Sequence, residues 1–178
     1  NLYANSGLLT VDGAITGGDD STITLTSNGA TPFQFTQINA GATGMVSITS
    51  ANGIEQTSDD TGSNGITAQT VILNATDGDI FQSVGVGDTN LNLFGVKNLT
   101  IEAGDDVALN AQGSTLDFLS ITTHGTTPDA ASIELINMGG SQSLAVTDNG
   151  SGDFNLALTS PTLLDFSFTA TATGIRTA

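Results

Sequence analysis

Carboxylates dominate the chemistry this sequence offers. Asp19-Asp20, Asp59-Asp60, Asp77-Gly78-Asp79 and Asp105-Asp106 set acids in pairs, and Asp148-Asn149-Gly150-Ser151-Gly152-Asp153 spaces two acids around small polar residues. Such oxygen donors suit calcium, a hard cation that takes about six to eight of them. Asp77, Asp79, Asp148 and Asp153 are therefore candidate calcium ligands, with Asp19, Asp20, Asp105 and Asp106 as further ones. No cofactor is required by the sequence. Neither Asp-rich run has EF-hand spacing or the Gly-Gly-x-Gly-x-Asp repeat of calcium β-rolls, and solvated turn aspartates account for the same residues. Two carboxylates about 5 to 10 Å apart also make a glycosidase, but sugar sites favour stacking aromatics, and the chain has one Tyr and no Trp. His124, the single histidine, lies in Thr122-Thr123-His124-Gly125-Thr126 with neither a Cys nor a Gly-x-Ser-x-Gly elbow to serve. It reads as a turn residue, no catalytic residue is assigned, and the expectation is a protein that is not an enzyme.

The elements that hold these acids are strands and tight corners. Of the 18 acidic residues only Glu55, Glu102 and Glu134 are Glu, and Lys97 and Arg176 are the only basic residues. The Glu, Lys and Arg that coat soluble helices are missing, while Asp, Asn, Gly, Ser and Thr, the residues of turns and polar strand faces, are abundant. A formal charge of −16 works against nucleic acid, whose phosphates need Lys and Arg, and against anionic membrane surfaces. It suits salty or calcium-rich surroundings in which cations screen the surface. At 38% hydrophobic residues the chain is expected to fold, as a single β domain over 1–178. No Cys is available for a disulfide. No leader or membrane-inserting stretch is visible, and a chain opening at Asn1 reads as a mature or excised product.

Alternating runs recur from end to end: Ile23 and Leu25, Phe33 and Phe35, Val46 and Ile48, Leu91 and Leu93, Leu116 and Phe118, Phe154 to Leu158. Thr70 to Asn74 is a fuller apolar run, expected to be buried on both faces. Gly-Asp and Asn-Gly corners separate the runs, and Pro32, Pro128 and Pro161 fall between them. A repeat emerges at ITLTSNG (23), VSITSANG (46), VILNATDG (71) and LTIEAGDD (99), with a spacing that one turn of a β-solenoid can use. The expected fold is all-β, a parallel β-helix whose narrow core suits the shortage of large aromatics. The alternative is an antiparallel β-sandwich, because Asn-Gly turns favour hairpins. Thr-x-Thr at 22–24, 24–26 and 169–171 falls in no single register, so β-propensity explains it better than an ice-binding face.

The stretches ITAQTVILNATDGDI (66–80) and NLTIEAGDDVALNAQGSTLDFLSI (98–121) resemble repeats of filamentous-haemagglutinin-like and related large bacterial surface adhesins. The resemblance implies a right-handed parallel β-helix, export to the cell surface and an adhesive or filament-forming role. With the composition, it leads to the expectation of an extracellular structural or adhesive protein assembling into a filament or layer as a homo-oligomer. Surface glycans are further candidate partners; nucleic acid and membrane insertion are not expected. The other reading is a carbohydrate-binding or carbohydrate-cleaving β-helix. Residues 163–178 are the candidate strand-exchange segment: Leu164, Phe166 and Phe168 share one face of a period-2 run after Pro161, a pattern that suits an ordinary last strand packed in cis and equally the completion of a neighbour's sheet.

Overall fold

A computed structural model describes residues 1–58, 64–82, 90–111, 114, 116–124, 132–136, 144–148, 154–159 and 175–176, the strands beyond 124 by their backbone pairing. Seventeen strands follow one another: β1 (Leu2–Ala4), β2 (Thr10–Thr16), β3 (Thr22–Ser27), β4 (Phe33–Asn39), β5 (Met45–Ser50), β6 (Ile54–Gln56), β7 (Gly65–Thr67), β8 (Thr70–Ala75), β9 (Ile80–Gln82), β10 (Leu91–Phe94), β11 (Asn98–Ala103), β12 (Val107–Asn110), β13 (Phe118–Thr123), β14 (Ser132–Ile136), β15 (Leu144–Asp148), β16 (Phe154–Thr159) and β17 (Ile175–Arg176). No helix occurs among the described residues.

The strands form a seven-stranded sheet, β1-β3-β5-β8-β11-β13-β15, and a ten-stranded sheet carrying the rest. Strand pairing is parallel in both, and the chain alternates between them coil after coil. This is a β-solenoid, not a sandwich. The Asn28-Gly29 and Asn52-Gly53 corners lie between strands of different sheets, so they turn the coil instead of closing a hairpin. The repeat read from sequence is the register of the stack. Ile23 pairs with Val46, Val46 with Val71 and Val71 with Leu99; one step along, Leu25, Ile48, Leu73, Ile101 and Ile121 form a second inward column. Leu73 and Ile48 are fully buried.

Inward apolar columns make the core because alternate strand residues point to one side. Phe33 and Phe35 stack within it, centroids 5.9 Å apart. A third inward column sits where the first sheet turns its corner and admits only small residues: Ser27, Ser50, Ala75, Ala103 and Thr123. All five are buried, and the Oγ atoms of Ser27 and Ser50 have no hydrogen-bond partner.

Three expectations change. Thr70–Asn74 is not buried on both faces: Val71 and Leu73 point in, while Ile72 is only half-buried, because among the described residues no second layer covers the outer face of this sheet. Leu116 and Phe118 do not share a face; β13 begins at Phe118, which is half-exposed, and Leu119 and Ile121 point in. Asn92, expected outward between Leu91 and Leu93, is fully buried. Its side-chain oxygen accepts from Asn110 Nδ2 at 2.9 Å, and its backbone N–H donates to the buried Gln56 Oε1 at 2.9 Å. In this coil the second sheet is split into β9 and β10, and side-chain amides supply the hydrogen bonds at the break.

Candidate functional site

The carboxylates are placed by the corners. Where the first sheet passes to the second, Gly53, Gly78 and Gly104 stack on successive coils. A Cβ on Gly78 would lie 2.6 Å from Gly53 N, and one on Gly104 2.5 Å from Asp77 C and Gly78 N. Only glycine lets backbones approach this closely. The chain is bound across the same corner: Ile54 N–H donates to Asp79 O (2.8 Å), Ile80 N–H to Asp106 O (2.9 Å) and Gly104 N–H to Ala75 O (2.7 Å). Asp77, Asp79, Asp105 and Asp106 flank these glycines, so the fold brings four of the eight candidate calcium ligands to one ridge on adjacent coils.

The other candidates lie elsewhere. Asp19 and Asp20 occupy the corner between β2 and β3. Asp19 Oδ1 accepts the backbone N–H of Ala42 on the next coil at 3.0 Å. Asp20 adopts φ 63° and donates its N–H to Thr43 Oγ1 at 3.2 Å. On the ridge, Asp79 Oδ1 accepts the N–H of Asp106 at 3.1 Å. Asp19 and Asp79 thus fasten one coil to the next. Asp148 closes β15, its backbone in register with Thr123. Asp153, Leu164, Phe166 and Phe168 lie outside the described residues. Farther along 163–178, Ile175 and Arg176 pair with Phe154 and Asn155 of the same chain. Among the described residues no three of His, Cys, Asp or Glu converge on a point that would hold a metal ion.

Beside the ridge, His124 follows directly on the end of β13. Its Nε2 lies 3.0 Å from Glu102 Oε1, Glu102 Oε2 accepts from Asn74 Nδ2 at 3.1 Å, and Asn74 Oδ1 accepts from Thr76 Oγ1 at 3.3 Å. This chain spans three coils on the outer face of the first sheet, with Asn74 and Glu102 paired in register. It borders a cavity of about 220 Å³ lined by Thr76, Asp77, Gly104 and His124. On the other side of the ridge a second cavity, of about 230 Å³, is lined by Asp79, Phe81, Asp106 and Ala108.

Glu102, Asn74, Phe81 and Ala108 were missed in the sequence. Glu102 and Asn74 carried a signal, since VILNATDG and LTIEAGDD align them. Phe81 did not stand out, because its three-residue strand shows too little alternation to reveal an outward aromatic. Comparison with protein-family models, with curated proteins and with solved structures returns no match for this chain.

Proposed function

We propose that this chain is an extracellular structural or adhesive module that associates through the open edges of its sheets, with copies of itself or with other surface proteins. One observation carries the reading. Among the described residues β1 and β2 each pair on one side only, with β3 and β4, and Leu2, Tyr3 and Leu8 on and beside them are 42%, 61% and 56% exposed. An unpaired strand edge is a template for another strand, and a solenoid coil buries its faces only against its neighbours. Stacking on this edge in a heterologous, non-closing contact produces a filament. Sedimentation over a wide concentration range, with electron microscopy of the same samples, tests this. Filaments or concentration-dependent oligomers are expected, and discrete monomers throughout would overturn it.

A second reading is supported by the oriented Glu102–His124 pair beside its cavity: a β-helix that binds or cleaves carbohydrate. A glycan array run with a polysaccharide-hydrolysis screen separates the two, and turnover would displace the structural reading.

A further inference from the structure

The groove over Phe81 differs in kind from the cavity beside His124. Val107 pairs with Ile80, so the next residues, Ala108 and Phe81, stand side by side facing outward. Both are half-buried and floor the cavity of about 230 Å³ whose rim carries Asp79 and Asp106. On the preceding coil Phe81 pairs with Glu55, whose Oε2 accepts from Gln34 Nε2 at 2.8 Å. Phe81 and Ala108 thus share this cavity with two acids, Asp79 and Asp106, on a chain of net charge −16. The volume is below the roughly 300–1,000 Å³ of small-molecule sites and fits a single side chain.

We infer that this groove docks an arginine side chain from a basic segment of a partner protein. Guanidinium is planar and weakly hydrated, stacks on aromatic rings and forks to carboxylates. Phe81 offers the ring and Ala108 leaves room beside it. Asp79 is held at the rim by its bond from the Asp106 N–H, and a carboxylate retains further acceptor sites when one is used. A lysine, strongly hydrated and unable to stack or fork, gains less. The surrounding field attracts cations and repels anionic ligands. The partner is not a second copy, since this chain has only Lys97 and Arg176 against 18 acids. The inference is independent of edge-to-edge assembly.

The test titrates the whole chain with a blocked Gly-Arg-Gly-Arg-Gly peptide, its citrulline counterpart and glucose, followed by two-dimensional amide NMR and calorimetry in low salt. Arginine-peptide shifts are expected at 79–81 and 106–108, with the citrulline peptide at least about tenfold weaker. Asp106→Asn should weaken binding about tenfold, while Asp12→Asn, the same charge change on the exposed face of β2, stays within about twofold. Ala108→Val fills the groove without altering charge and should also abolish the local shifts, with circular dichroism checking each fold. Equal losses from Asp106→Asn and Asp12→Asn mean diffuse attraction and overturn the site. So does equal binding of the citrulline peptide, or a response to glucose alone.

Discussion

The corner column invites a substitution that should improve the protein. Ser50 is fully buried, its Oγ has no hydrogen-bond partner, and Ala75 and Ala103 occupy the same position on the next two coils. A buried hydroxyl left unpaired costs about 1–3 kcal/mol. Ser50→Ala removes it and keeps the Cβ in place; the gap left by one oxygen forfeits a few weak contacts, each about 0.1–0.2 kcal/mol. The net gain should be about 1 kcal/mol, which for a chain of this size raises Tm by about 2–4 °C. Because a coil stack need not unfold in one step, the urea midpoint should be measured alongside calorimetry. Ser27 stands in register beside Ser50, one strand spacing of about 4.8 Å away, and supplies the control. With both hydroxyls unpaired, Ser27→Ala and Ser50→Ala each stabilise and the double variant adds the gains. Were the two bonded to each other, either single change would strand its neighbour and lower Tm, and the double would recover it. That second pattern would refute the reasoning.

Other outcomes follow from the same architecture. Leu73→Ala should cost about 4 kcal/mol by urea denaturation, because Ile48 and Ile101 hold their registers on either side and prevent collapse; the half-buried Ile72→Ala should cost about 1 kcal/mol or less. Gln56→Leu takes the acceptor from the buried Asn92 N–H and should cost about 1–3 kcal/mol, with faster amide hydrogen exchange at Asn92 as its local signature. If the corner acids Asp77, Asp79, Asp105 and Asp106 take up calcium, chelation at matched ionic strength should lower Tm by several degrees, because an ion bound only to the folded chain stabilises it; an unchanged Tm would remove calcium from the account.

The periodic part of this fold was legible in the sequence. Ile23, Val46, Val71 and Leu99 repeat with the phase of their strands, since each coil must return an apolar residue to the same column. Parallel pairing was harder to read, because Asn28-Gly29 and Asn52-Gly53 obey the same turn chemistry in a hairpin as in a coil corner, and local conformational preference cannot tell them apart. The burial of Asn92 was hidden for another reason: its main-chain partner Gln56 is 36 residues away, and nothing near either amide advertises the other. The acid ridge was half visible. Asp77, Asp79, Asp105 and Asp106 were singled out, but the repeat had to be folded before they met, and before Asp79 could be recognised as a fastener between coils.

The stack also has a mechanical character. Backbone hydrogen bonds between coils run along the solenoid axis, so an axial load pulls them lengthwise, and the junctions between coils bear it in series. β3 holds β5 from the Thr22–Met45 pair to Ser27–Ser50, and β8 holds β11 from Thr70–Asn98 to Ala75–Ala103. β1 grips β3 only at Leu2–Leu25, Tyr3–Thr26 and Ala4–Ser27, and the register of β2 on β4 slips between Val11 and Ala14. In a series of springs the weakest yields first, so at this end of the stack tension should peel the first coil before it disturbs the coils that carry β3 to β11. A further coil stacked on that edge would load it from both sides and raise the force at which the rod begins to unravel.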